Sequence, residues 1–440
     1  MNFKMGFYKF STTLPSYELV SSIPKGKNGD KFTENEPNSS DKEYFSFLNW
    51  FVGFTDAEGN FLISLDRGYI RFRFKISMHI DNLKALNNIK SKLNVGNVTI
   101  EESRNRCSFV VQDFTEIRDV ICPIFIQFPL LTSKRLDFHD FYQAVQIKNK
   151  KYLSDADKDK IMYLKNGMNS QREIFKNISI NSQIKVNSEW FIGFLEGEGT
   201  FGIKTGSSMY LQVAQKNTSI ECINGIIAFL TTLKSNLPEH SKILPLNVVS
   251  SINTKTNVVS LVVSSVDALY YYILPLLDNS KMYTFKEMDF KLWRIALILK
   301  IHGYYYLPEG KKLFLDISEV LNKRYSTESI ENLDKIIADI FNRYQSLLLI
   351  DPPFKIEDNI PHVNNVKKFN MENRSNIPKT IFIYEDGKLV KGSPFNSYSS
   401  AHKALGLKSS SNTCNRYIDT NRLYKSKYIF TSYPLSSTKG

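Results

Sequence analysis

The chain has 440 residues, is 42% hydrophobic and 13% aromatic, and carries a formal net charge of +13. That length allows two or three domains with sizeable cores, and the basic balance favours an acidic partner such as nucleic acid. No apolar run is long enough to span a membrane, and four scattered cysteines without a CxxC pair argue against a zinc ribbon or a disulfide scaffold.

In chain order, residues 1–43 read as a polar N-terminal extension. It contains no arginine, the first being Arg67, so the Arg-rich pattern of an imported precursor is missing. A first unit spans residues 44–150. It opens with Trp50 and FVGFTDAEG (Phe51–Gly59), read as a helix. A strand Asn60–Leu65, a turn at Arg67–Gly68 and a strand YIRFRFKISM follow. Then come a helix Asp81–Leu93, strands near Asn97–Glu102 and Ser108–Asp113, and helices near Thr115–Phe125 and Lys134–Lys148. Residues 151–183 read as a polar linker.

The second unit, residues 184–350, takes the same order and ends in a helical tail. Trp190 precedes FIGFLEGEG (Phe191–Gly199). Strands TFGIKT and MYLQVAQ, a helix Ser219–Leu233, strands near Asn247–Ile252 and Asn257–Ser264, and helices near Asp267–Leu277 and Tyr283–Lys300 complete the copy. ICPIF at Ile121 matches ILPLL at Ile273, and KRLDFHDF at Lys134 matches KEMDFKLW at Lys286. These matches place a net insertion in the second copy, in the loop NLPEHSKILPLN. A second linker, 351–378, starts at the turn signal DPPF.

Residues 379–440 hold 10 Lys/Arg against 3 Asp/Glu, over half of the net charge. KTIFIYEDGKLV reads as a hairpin turning at Asp386–Gly387. SYSSAHKALGLKSSSNTCNRYI reads as helix, Gly turn, helix, capped by Ser399 or Ser400 and by Ser409 or Ser410. A last strand, LYKSKYIF, alternates aromatic and basic residues. Lys408 and Arg416 are the candidate DNA contacts of this appendage.

A repeat at wide spacing means two copies of one structural unit. Gly53 and Ala57 share a helix face, as do Gly193 and Gly197, and small residues at that spacing let two backbones approach closely. If the two helices pair, Glu58 and Glu198 meet at their C-termini, each followed by a Gly suited to the C-cap. A carboxylate there opposes the helix dipole, and two repel each other. A divalent cation relieves both conflicts and prefers oxygen ligands. In YIRFRFKISM, Arg71, Arg73, Lys75 and Ser77 face one way while Phe72, Phe74, Ile76 and Met78 face the other. Such a basic face can lie in a DNA groove, where Arg and Lys reach guanine edges and phosphates. The second copy offers Lys204, Tyr210 and Gln212 instead, and glutamine suits adenine. Two different faces imply an asymmetric target.

The doubled motif, the αββαββα repeats and the basic outer strands resemble the single-chain, two-motif LAGLIDADG homing endonucleases, over about residues 44–300. The C-terminal segment is similar to the nuclease-associated modular DNA-binding domain. The resemblance implies an α+β fold in which two pseudo-symmetric repeats form a saddle over DNA, acting as a monomer. It implies a group I intron of an organelle genome as the coding context, hence a mitochondrial matrix location; abundant Asn, Ile and Lys agree with AT-rich coding. It further implies that Glu58 and Glu198 bind catalytic Mg²⁺ or Mn²⁺, that Lys134 and Lys286 assist at the scissile phosphate, and that Gln215 positions water. The first repeat has Met78 where the second has Gln215, which implies slowed or lost nicking of one strand. Asp56 and Glu196 take structural roles. No P-loop, GxSxG or His/Cys zinc cluster competes. The implied activity is a metal-dependent double-strand break that promotes intron homing. The alternatives within the resemblance are an RNA-binding maturase for the host group I intron, which can lose both glutamates, and a transcription regulator, which needs no metal.

Overall fold

The computed structural model describes residues 39–172, 184–204, 207–235, 246–323, 332–354, 356–357, 360–361, 380–409 and 411–435. Most of the N-terminal extension, the end of the first linker, nearly all of the insertion loop and most of the second linker lie outside the described residues.

Two helices form the centre. The first motif helix runs Ser39–Glu58, starting inside the stretch read as extension, and the second runs Ser188–Glu198. Asn187 caps the second helix by accepting a hydrogen bond from Trp190 N at 2.7 Å. Each motif helix passes directly into a strand. The first antiparallel sheet consists of β1 (Gly59–Asp66), β2 (Tyr69–His79), β3 (Asn97–Glu101) and β4 (Arg106–Val111), in the order β1-β2-β4-β3. The second consists of β5 (Gly199–Ile203), β6 (Met209–Lys216), β7 (Val249–Asn253) and β8 (Val258–Val263), in the order β5-β6-β8-β7. The shared order shows two copies of one αββαββα unit. Arg67 and Gly68, both at positive φ, make the tight β1–β2 turn.

The period-two pattern decides which face is buried. Phe72, Phe74 and Ile76 are buried while Arg71 and Arg73 are exposed, with Lys75 part-buried. In β6, Met209, Leu211 and Val213 are buried while Tyr210, Gln212 and Ala214 lie on the more open face. The buried faces and the motif helices share one apolar core across both repeats, with Trp50, Phe51, Phe74, Trp190, Phe201 and Trp293 at its heart. This continuity fixes one sheet against the other, so their open faces form the saddle.

The helix expected over Thr115–Phe125 is wound in three pieces, Phe114–Glu116, a π-turn Ile117–Ile121 and Cys122–Gln127. The second repeat copies this with a π-turn Leu269–Ile273 before Leu274–Asp278. Pro123 and Pro275 have no N–H for the carbonyl four residues back, and the turn before each widens accordingly. The late helices are Lys134–Lys148 and Lys286–Ile301. The tail adds helices Pro308–Val320 and Leu333–Leu347, joined by an Arg343–Asp316 ion pair of 2.7 Å.

The C-terminal module has its own small core of Ile381, Ile383, Phe395, Ala401, Cys414, Ile418 and Phe430. Its hairpin turns at Asp386–Gly387 as expected, both at positive φ. Its helices are short, Tyr398–Ala404 and Thr413–Tyr417. Buried His402 ties them together, Nε2 accepting from Cys414 N at 3.1 Å. Three local readings change. Ser397, rather than Ser399 or Ser400, caps the first helix, accepting from Ser400 N. At the second helix Asn412 takes the N-cap position without a side-chain cap bond, and Ser411 Oγ rather than Ser409 accepts from Thr413 N; Ser410 lies outside the described residues. The final strand covers only Tyr428–Thr431, because Lys425 and Ser426 adopt positive φ and turn the chain.

Candidate active site between the repeats

The glycines of the two motifs set the distance between the repeats. A Cβ on Gly53 would lie 2.0 Å from Trp190 O, and one on Gly193 would lie 2.0 Å from Trp50 O. A Cβ on Gly197 would meet Ala57 Cβ at 2.4 Å. The helices therefore touch backbone to backbone, as the small-residue spacing predicts.

The last motif glycines work differently from the sequence reading. Gly199 has φ −84° and ψ 150°, and Gly59 is not among the positive-φ glycines. Neither is a left-handed cap. A side chain there would strike the preceding helix instead, at 2.4 Å from Thr55 Cγ2 or 2.3 Å from Leu195 Cδ1. Glycine is needed because each chain turns sharply from helix into strand.

The sixth-position acids are fully buried and cross-connected. Trp50 Nε1 donates to Glu196 at 2.6 Å, and Trp190 Nε1 donates to Asp56 at 3.0 Å. Asp56 also accepts from Leu131 N, Thr132 N and Thr132 Oγ1 at 2.8, 3.0 and 2.6 Å. Glu196 accepts from Tyr283 N at 3.0 Å and Thr284 N at 2.6 Å. Each acid thus pins the loop that ends two residues before Lys134 or Lys286. Burial raises the pKa of both acids, that of Glu196 to about 7, against the pull of these donors. Two further bonds cross between the repeats to the same loops: Ser219 Oγ accepts from Ser133 N at 3.1 Å, and Asn82 Oδ1 accepts from Phe285 N at 2.8 Å.

Glu58 and Glu198 end the paired helices and meet there, part-buried. A Cβ on Gly197 would lie 3.3 Å from Glu58 Oε1. Burial raises the pKa of Glu58, while Lys134, Arg106 and Lys286 pull it down. Burial also raises Glu198, as does the Glu58 charge, while Lys134 and a hydrogen bond from Gln215 lower it. Lys134 Nζ donates to the carbonyls of Thr55 (2.8 Å) and Ala57 (3.3 Å) at the C-terminus of the first motif helix. Its ammonium is depressed by burial and supported by Asp56, Glu58 and Glu198. Lys286 lies 3.5 Å from Asp289 of its own helix.

The structure thus brings Glu58, Glu198, Lys134, Lys286 and Gln215 to one place. It places Met78 beside Cys107 in the sheet register, and the next pair along is His79 with Arg106. Arg106 is the charged neighbour that sequence reasoning missed: the alternating pattern starts this strand at Ser108, whereas β4 begins at Arg106. Lys204 is exposed at the β5–β6 turn, 5.4 Å from the centre of the Tyr210 ring. That ring lies over its cross-strand partner Gly202. Arg71 pairs with Asp66 at 3.0 Å on the open face of the first sheet. Lys408 and Arg416 sit in the C-terminal module, away from the glutamates; Lys408 is exposed. Among the described residues, no group of three His, Cys, Asp or Glu could hold a metal, and no helix is long and apolar enough to cross a membrane.

The sequence family described as LAGLIDADG endonuclease matches residues 51–145 and 191–297, one segment in each repeat. The chain is 28% identical over 400 residues to an uncharacterized mitochondrial protein RF1 of Saccharomyces cerevisiae, covering 88% of this chain and 82% of that one. It is 32% identical over 169 residues to a probable intron-encoded endonuclease, Cox1-I1b, of Schizosaccharomyces pombe, covering 37% of this chain and 43% of the relative. Among solved structures, the LAGLIDADG homing endonuclease I-GzeII in complex with its DNA target superposes with TM-score 0.52 at 24% identity, over 63% of this chain and 99% of that one. I-LtrWI bound to target DNA gives TM-score 0.52 at 21% identity, over 66% and 99%.

Proposed function

We propose that this chain, whose two repeats belong to the LAGLIDADG endonuclease family, is a site-specific endonuclease that breaks both strands of a long, asymmetric DNA target. One observation carries the reading most directly. Two glutamates that repel each other are held together at the ends of paired helices, beneath two sheets with open outer faces, with Lys134 near both and Lys286 near Glu58. Folding alone gains nothing from that juxtaposition, and local rules broken in the same way twice mark a functional site.

The donor set fits a hard divalent cation. Both carboxylates are oxygen donors, and burial with mutual repulsion disfavours their charges until a cation arrives. We assign Glu58 and Glu198 to Mg²⁺ or Mn²⁺. When bound, the metal supplies charge for activating water and stabilising the leaving oxygen. Lys134, fixed by two helix-end carbonyls, offers positive charge to the phosphate as negative charge builds on it. Lys286 does the same on the other strand once it leaves Asp289. Gln215 orients Glu198, and through it water on that side. In the first repeat Met78 offers no such amide, and Arg106 supplies a cation near Glu58 instead.

Arg71, Arg73 and Lys75 serve one half-site and Lys204, Tyr210 and Gln212 the other. Both halves of the site lie in one chain, so a monomer suffices. Likeness to mitochondrial and intron-encoded fungal proteins supports a mitochondrial, organelle-encoded origin and a role in intron homing. Among the described residues, no observation favours the alternative of binding group I intron RNA as a maturase. The test uses a duplex spanning the intron-free insertion sequence, each strand end-labelled, with Mg²⁺, Mn²⁺ or EDTA. Fixed breaks in both strands with metal only are expected. Tight binding to intron RNA with no metal-dependent DNA break would overturn the reading.

A further inference from the structure

We infer that the C-terminal module and the Lys204 and Ser207 end of the β5–β6 hairpin form one composite grip for a DNA backbone phosphate, which extends the footprint beyond the second repeat's half-site only. The inference rests on the endonuclease reading and deepens it.

The module is latched to the second repeat. Arg422, with only 16% of its side chain exposed, forms an ion pair with Glu319 and approaches Asp316 to 3.7 Å. Both acids lie on the tail helix Pro308–Val320, and Arg343 holds Asp316 from the other side. This latch sets the module's second helix across a cleft from Lys204 and Ser207, which flank the β5–β6 turn. The cleft, of about 110 Å³, is lined by Lys204, Ser207, Ser318 of the tail helix, and Asn412, Asn415 and Arg416 of the module. Two aliphatic side chains, Ile203 and Leu315, complete the lining with Tyr305 and Phe314. Behind them Lys300 Nζ donates to Ser207 Oγ at 3.1 Å and lies 4.5 Å from the Tyr305 ring centre.

The lining contains two cations, the side-chain amides of Asn412 and Asn415, the hydroxyls of Ser207 and Tyr305, and Ser318, whose hydroxyl already donates to Leu315 O at 2.7 Å, and no Asp or Glu. Burial pushes Lys300 down to about 8, so an anion in the cleft also relieves a buried charge. Hydroxyls, amides and cations without a fixed base-reading pattern are the chemistry of phosphate contacts. Continuity selects DNA backbone over a free anion: Lys204 leans over Tyr210, on the same open face as Gln212. Gln212 and Tyr210 follow one another toward the end of the β5–β6 hairpin where Lys204 enters the cleft lining, so the cleft lies in line with that open face.

The test is hydroxyl-radical footprinting in Ca²⁺ on DNA spanning the intron-free site, with binding measured across a salt series. The full chain is compared with Lys204→Ala, Arg416→Ala, the double variant and Arg422→Ala. Gln212→Ala marks the second repeat's half-site through relaxed base preference. Each single variant at Lys204 or Arg416 loses the same outer phosphate protection, weakens binding about 3–10-fold and flattens the salt slope by up to about 0.9. The double variant adds little to either, because the two residues share one contact. Arg422→Ala loses the same protection without touching the cleft. Thermal melts check folding, and Lys204→Ala, on an exposed turn, decides if the module variants melt early. Additive losses at separate phosphates, protection lost beside the first repeat, or an unchanged outer footprint would overturn the grip. Cutting in Mg²⁺ by the parent chain separates the two failures: no cutting sinks the endonuclease reading, while cutting with an unaltered footprint sinks the grip alone.

Discussion

Replacing Asp56 by Ala removes the acceptor of four buried or part-buried donors: Leu131 N, Thr132 N, Thr132 Oγ1 and Trp190 Nε1. A buried donor left without a partner costs about 1–3 kcal/mol. The full penalty is not reached, because the loop at Leu131–Thr132 can relax toward water and the buried carboxylate is itself costly. A net loss of about 3–5 kcal/mol remains, the range for breaking a buried charged network by removing one member. At about 2 °C per kcal/mol for a cooperative unit of a few hundred residues, the metal-free protein should melt about 6–10 °C lower by circular dichroism. Trp190→Phe removes one donor and should cost about 1 kcal/mol. The double variant should cost less than the two singles added, since both break the same bond. The loop also sets Lys134, so cutting should fall at temperatures where Asp56→Ala is still folded. A variant melting within about 1 °C of the parent would refute the claim that this acid staples the repeats together.

Four further outcomes follow from the same geometry. Gly53→Val should fail to fold or melt far below the parent in a thermal scan, because its Cβ meets the Trp190 carbonyl, which is backbone and cannot move aside. Glu58 and Glu198 have folded pKa values raised above 4.5, so their contribution to stability is full below that pH and is lost as pH rises through the raised values. Glu198→Gln should therefore out-melt the metal-free parent at pH 8 by about 0.5–2 kcal/mol, a gain that disappears in calorimetry below about pH 4.5. Arg73→Ala should cost about 1–3 kcal/mol of binding and relax preference at one base position in a target-variant library; a uniform loss over all sequences would mark it as a phosphate contact. Met78→Gln should speed nicking of the slower strand in single-turnover assays with each strand labelled, and an unchanged rate ratio would show that Arg106 already compensates.

The pairing of the motif helices was legible because it depends on residues close in sequence: small residues four apart and an acid one turn on. The strand faces were legible for the same reason, since alternation in YIRFRFKISM fixes which side chains meet the core. The Trp50–Glu196 and Trp190–Asp56 bonds were not, because they appear only once two distant segments are superimposed by the fold. Glycine was legible at the helix ends, and Gly199 does follow its helix as the C-cap with its N–H on Leu195 O, but the reason differs: empty space at a helix-to-strand corner rather than a positive φ. Arg106 was hidden by a strand boundary, and LYKSKYIF read as a strand because alternation says nothing of a left-handed pair such as Lys425 and Ser426. The latch at Arg422 had no sequence signal at all; its partners lie on a helix about a hundred residues upstream.

The most direct test of the central claim is single-turnover cleavage of strand-labelled target DNA by Glu58→Gln and Glu198→Gln, with binding measured separately in Ca²⁺. If the paired glutamates hold the catalytic metal, each variant should bind the target within a few-fold of the parent and cut it at least about 10³-fold more slowly, the scale of losing a main electrostatic contributor. Cutting of both strands at the parental rate by either variant would contradict the account.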